Sequence, residues 1–172
     1  MPPSDTVVVA LTSLVGILIS AFVGYYLSQR RYTFEKMYDK KLLYLEEIYG
    51  QIISLEADLN QYTHTIGSMS QNEYLEPRRG AFTSIEEKRV ELQAYFRKKE
   101  IALDGSTVAA VNSFLEATNE LVANLSVSNL SLAQHDHETS YSFWRKSYDI
   151  LVTKLKIAKD EIKKDFTNVI RQ

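Results

Sequence analysis

The sequence predicts an all-α protein, with an N-terminal transmembrane helix continuing into a cytosolic antiparallel four-helix bundle. Three observations predict it. Residues 7–27 (VVVALTSLVGILISAFVGYYL) are an uncharged apolar run. Beyond them, apolar residues recur seven apart in two long stretches. The 172 residues hold only six glycines and three prolines, few breakers for such a length.

The first element is the span. At about 1.5 Å per residue, the run covers roughly the 30 Å hydrocarbon core of a bilayer. The start, MPPSD, has no basic side chain, and VGYYLSQRR offers no small-x-small cleavage site. The run therefore reads as a retained anchor and not as a cleaved leader. Arg30, Arg31, Lys36, Lys40 and Lys41 follow it, whereas only Asp5 and the amino terminus precede it. The positive-inside rule then places the C-terminal domain in the cytosol and the N-terminus outside, a single-pass inner-membrane topology. Tyr25, Tyr26 and Tyr32 fall where interfacial aromatic rings lie. Within the span Thr12, Gly16, Ser20, Gly24 and Ser28 recur every fourth residue. On a helix they form one nearly straight stripe of small side chains. Such a stripe lets backbones approach closely, through dispersion and weak Cα–H···O contacts, so the span is expected to self-associate.

The next element continues without a proline from Ser28 to Ile66. Tyr38, Leu45, Ile52, Leu59 and Ile66 are seven apart, and Ile48, Leu55 and Tyr62 fall three after Leu45, Ile52 and Leu59, with Lys41 as the polar member of that series. This is an a/d seam of about four heptads, in a coiled coil or a bundle core. Residues 67–80 (GSMSQNEYLEPRRG) read as a loop. A second helix is predicted over 83–99, opened by a capping box of Ser84 and Glu87, with Ile85, Leu92, Tyr95 and Phe96 on its apolar face. Asp104 is expected to cap a third helix whose face is Val108, Val111, Phe114, Leu115, Leu121, Val122 and Leu125. The alternating polar stretch SVSNLSLAQHD reads as a connection. A last helix covers 137–170. On it Trp144, Leu151 and Ala158 are seven apart, as are Tyr148, Leu155, Ile162 and Val169, opposite a lysine-rich face. Two long helices flanking two shorter ones fit a four-helix bundle. The expected domains are 1–28, a short tail with the transmembrane helix, and 29–172, the bundle. Its seam is Leu45, Ile48, Ile52, Leu55, Leu59, Trp144, Tyr148, Leu151, Leu155 and Ile162.

Chemistry is sparse. Without cysteine there is no disulfide scaffold, thiolate nucleophile or cysteine zinc site. A net charge of −2 gives no field to recruit nucleic acid. His135, Asp136, His137 and Glu138 are the most metal-like cluster, but histidines at i, i+2 diverge on a helix and lack further ligands at zinc spacing. The cluster reads instead as a loop opening a helix. Arg78, Arg79, Lys88, Arg89, Arg97, Lys98 and Lys99 make the most basic stretch, yet Glu86, Glu87, Glu91 and Glu100 are interleaved, which reads as a mixed-charge surface. Tyr95 and Phe96 read as core rather than as base-stacking rings. There is no G-x-S-x-G, no glycine-rich phosphate loop and no His-Glu-x-x-His. No catalytic residue, metal or cofactor is expected.

The stretch RRYTFEKMYDKKLLYLEEIYG, with YFRKKEIALD and then the tryptophan-led last helix, resembles a loose group of small bacterial single-span proteins of unknown function. The layout also resembles CRISPR-associated accessory membrane proteins, which pair one N-terminal span with a HEPN-like helical bundle and assemble into pores. That likeness implies a role in antiviral defence. The family's arginine, followed four to six residues later by histidine, has no counterpart at His64, His135 or His137. The reading that results is a non-enzymatic, membrane-anchored scaffold that self-associates through its span and presents its bundle to a cytosolic protein partner, with no nucleic-acid partner. The alternative is an oligomeric pore or membrane-perturbing effector.

Overall fold

A computed structural model describes the backbone of residues 4–68 and 75–170, and the side chains of 16–64 and 79–169. The described residues are helical throughout, apart from short turns, and contain no strand. The α-helices are α1 (Ser4–Ser68), α2 (Leu75–Lys99), α3 (Gly105–Ala133), α4 (His137–Ile150) and α5 (Lys156–Ile170). The chain divides into two compact units, Met1–Lys41 and Leu42–Gln172.

In the second unit, named contacts fix the topology. On α1 and α2, Asp58 pairs with Lys88 and the Tyr62 ring meets Phe82, while Glu47 accepts a hydrogen bond from Tyr95. Rising numbers on one helix meet falling numbers on the other, so the pair is antiparallel. Between α3 and the rod that follows, Ser128 meets Ser140, Glu120 meets Lys154 and Thr107 meets Asp165, again antiparallel. The same rod runs antiparallel to α1, through Thr63 with Trp144, Glu56 with Lys159 and Tyr49 with Phe166. Arg89 to Asn119 joins α2 to α3. The unit is therefore an up-down-up-down bundle in which α1 and α3 are each flanked by α2 and by the α4–α5 rod.

Hydrophobic burial drives this arrangement. One core cluster takes Ile48, Ile52, Leu55 and Leu59 from α1, Ile85, Leu92 and Phe96 from α2, Phe114, Leu121 and Leu125 from α3, and Leu151, Leu155 and Ile162 from the last rod. Leu45 is buried as well. Trp144 and Tyr148 are only half-buried. They stack on each other at the edge, with Tyr141 and His64 against their outer sides. The Trp144 indole N–H donates to the Thr63 carbonyl at 3.0 Å, which satisfies the one polar atom of that ring.

Three boundaries differ from the sequence reading. The second helix starts at Leu75, not near Thr83, so Ser84 and Glu87 lie inside it and form no capping box. The Thr83 hydroxyl bonds back to the Arg79 carbonyl, as mid-helix threonines do. The stretch Ser126–Ala133 is helix, not a connection. Its small residues meet α4 closely: the buried Ser128 hydroxyl donates to the Ser140 carbonyl at 2.8 Å. Asp104 occupies the N-cap of α3 in extended geometry, its carbonyl accepting from the Val108 N–H at 2.9 Å, but its side chain makes no cap hydrogen bond. The last rod is broken by a π-helical turn at Leu151–Leu155. Ser147, Leu151 and Leu155, all buried, are spaced four and four, and the wider turn keeps them facing the core.

In the first unit, every described side chain from Gly16 to Met37 is exposed. No helix among the described residues is long and apolar enough to cross a membrane. Within the apolar run 7–27 the described side chains are those of 16–27, about 18 Å of helix. The side chains of 7–15, Thr12 among them, and that of Ile66 lie outside the described residues.

Candidate functional site

A helix exposed on all sides is normally polar. Here the exposed residues 16–27 are GILISAFVGYYL, with Phe22 at 71% exposure. Apolar side chains all round are the pattern of a helix enclosed by other apolar matter. Gly16, Ser20, Gly24 and Ser28 lie along one face of it. A Cβ built at Gly16 or Gly24 meets nothing within 4 Å. The chain's own packing therefore gives no reason for either glycine, although glycine inside a helix costs roughly 1 kcal/mol relative to alanine. The Ser20 hydroxyl donates to the Gly16 carbonyl at 2.9 Å, so its polarity is met within the helix.

The helix then turns basic. Arg30, Arg31, Lys36 and Lys40 are exposed, as are Tyr32, Phe34 and Met37. Arg31 pairs with Glu35 at 2.9 Å, and the Lys36 ammonium lies 5.9 Å from the Tyr32 ring centre. Phe34 and Met37 carry no heptad signal, so hydrophobic periodicity does not single them out. A run of exposed apolar side chains between cations was the signal available.

The other sequence candidates have structural employment. His135 has a left-handed backbone, φ 62°. It closes α3 with two bonds, His135 N–H to Leu132 at 3.0 Å and Asp136 N–H to Ser131 at 2.9 Å, a Schellman motif with histidine in the usual glycine position. Asp136 then caps α4, accepting from the Thr139 N–H at 3.1 Å. The Thr139 hydroxyl and N–H, with a lesser contribution from His137, hold its carboxyl below the usual aspartate range. Among the described residues, no three histidine or acidic side chains gather as a metal site. Several cations of the basic stretch of α2 are engaged in local or inter-helix pairs. Lys88 pairs with Asp58, Arg97 with Glu100, and the Lys99 ammonium lies 4.3 Å from the Tyr44 ring centre. Phe96 is fully buried, so it offers no face to a base.

Of the seam residues, Leu45, Ile48, Ile52, Leu55, Leu59, Leu151, Leu155 and Ile162 are buried and Trp144 and Tyr148 flank them. Comparison with protein-family models, curated proteins and solved structures finds no match to this chain.

Proposed function

We propose that this protein is a membrane-anchored helical scaffold. Its N-terminal apolar helix holds it in a bilayer and self-associates there, and its bundle is presented in the cytosol to a protein partner. One observation carries the reading: residues 16–27 expose apolar side chains on every face, inside an uncharged run that extends over 7–27. Leaving that surface in water costs about 25 cal/mol per Å². Lipid removes the cost, and the charges that follow the run favour a cytosolic C-terminal domain. Gly16 and Gly24, where an added Cβ would meet nothing within 4 Å, supply a surface on which two such helices pack.

The test is Gly16→Leu combined with Gly24→Leu. An added Cβ meets nothing within 4 Å at either position, so insertion and folding should persist while crosslinked oligomers disappear. Unchanged oligomers in the double variant contradict association through this face. Dye release from vesicles carrying the wild-type chain would move the reading from scaffold to pore, since small residues also let several spans close a ring.

A further inference from the structure

Resting on the anchor reading above, we propose that the helix just past the apolar run selects anionic lipid, through one face that mixes cations with exposed apolar side chains. At about 100° per residue, Arg30, Lys36, Lys40 and Lys41 share an arc of roughly 140°. Tyr26, Phe34 and Met37 fall on or beside the same arc, and all three are exposed. Glu35 and Asp39 lie on the opposite side, and Glu35 is engaged with Arg31, 2.9 Å away. Residues 28–41 carry five cations against two carboxylates, but the charge is not spread evenly round the helix.

The distances suit a bilayer surface. Headgroups add several ångströms beyond the hydrocarbon core, which takes the chain to about residue 32. A Debye length of about 8–10 Å then brings Lys36, and in part Lys40, within reach of an anionic surface potential. Tyr32 and Phe34 supply the aromatic rings that settle at this depth. A soluble acidic protein could match the cations, but only a lipid surface also adjoins the apolar run that precedes them. Lipid offers both, a charged headgroup beside an acyl chain, and the face is continuous in sequence with the run that meets the acyl chains.

The experiment uses the full chain, which has no cysteine, with Gln29→Cys as a unique donor-dye position. The chain is reconstituted into phosphatidylcholine vesicles holding equal trace amounts of acceptor-labelled phosphatidylglycerol or acceptor-labelled phosphatidylcholine. The anionic probe should be enriched about fivefold beside the donor, the equivalent of roughly one cation's attraction to the surface. That enrichment should collapse in 0.5 M salt and in Arg30→Gln/Lys36→Gln/Lys40→Gln. It should survive Arg31→Gln/Glu35→Gln, which removes one charge of each sign. Equal transfer to both probes, or a preference that persists in the triple variant, overturns the proposal. Flotation of the same samples separates the two readings. A chain that floats without lipid preference overturns the lipid selection alone, whereas a chain that fails to float overturns the anchor and this inference with it.

Discussion

Replacing Ile162 and Ile157 by alanine in separate variants makes the same chemical change twice on α5. Ile162 is 1% exposed and belongs to the core cluster, whereas Ile157 is 61% exposed. Each change removes three carbons. At about 0.8 kcal/mol per buried CH₂, Ile162→Ala forfeits roughly 2.4 kcal/mol of transfer energy. The cavity left among close-packed neighbours raises that to about 3–4 kcal/mol. Ile157 has about two-fifths of its surface buried, so the same arithmetic gives roughly 0.9 kcal/mol. Water refills the gap, and alanine's better helix propensity returns a few tenths, for a net of about 0.5 kcal/mol. The single tryptophan, Trp144, reports on the bundle because its indole binds the Thr63 carbonyl of α1. Urea titration in non-ionic detergent, followed by its fluorescence, should lower the midpoint by about 1.5 M for Ile162→Ala at a slope near 2 kcal/mol/M. Ile157→Ala should shift it by less than about 0.3 M. Similar shifts for the two variants would refute the register of the last rod.

Three further outcomes follow from local geometry. His135→Gly relieves a left-handed backbone that a β-carbon disfavours, so it should stabilise the bundle by about 0.5–1 kcal/mol in the same titration. Asp136→Ala removes the cap of α4. Because the folded aspartate titrates below its ordinary range, the cap contributes fully above that range and fades as pH falls through the lowered folded value. The stability gap between wild type and variant should accordingly be full at pH 7 and narrow below about pH 3.8, as urea titrations at stepped pH would show. The Lys159 ammonium bonds both Glu56 carboxylate oxygens, at 2.6 and 2.8 Å, with only 22% and 16% of the two side chains exposed. Lys159→Met should cost about 1–3 kcal/mol by stranding Glu56, and Glu56→Leu in the same chain should recover most of it in a double-mutant cycle.

The heptads of α1 were legible because burial imposes its own period: Leu45, Ile48, Ile52, Leu55 and Leu59 are all buried. On the last rod the same spacing includes Trp144 and Tyr148, which are half-buried, Trp144 packing against the core cluster. These large rings sit at the edge, where stacking on each other replaces full burial. Helix ends were harder. Ser84 and Glu87 carry the spacing of a capping box, yet a short polar motif is equally at home on the exposed side of a helix, and the buried Ile85 beside it fixed only the face. In Ser126–Ala133, alternation of apolar and polar residues concealed a helix, because Ser128 and Ser131 are buried for their small size and not for hydrophobicity. The π turn left a trace in the four-and-four spacing of Ser147, Leu151 and Leu155, but serine does not register as a core residue in a hydrophobic pattern. The basic face past the apolar run lay in plain view as a charge count. Its apolar half, Phe34 and Met37, became evident only once both side chains were seen exposed beside the cations.

The most direct measurement of the central claim uses the absence of cysteine. A single Cys is placed at Ser4, before the apolar run, or at Ile101, which is 95% exposed in the turn between α2 and α3. Intact cells are then treated with a membrane-impermeant maleimide. The account predicts labelling of Ser4→Cys from outside, labelling of Ile101→Cys only after permeabilisation, and a chain that resists carbonate extraction. Labelling of both positions from the same side, or release of the chain by carbonate, would contradict it.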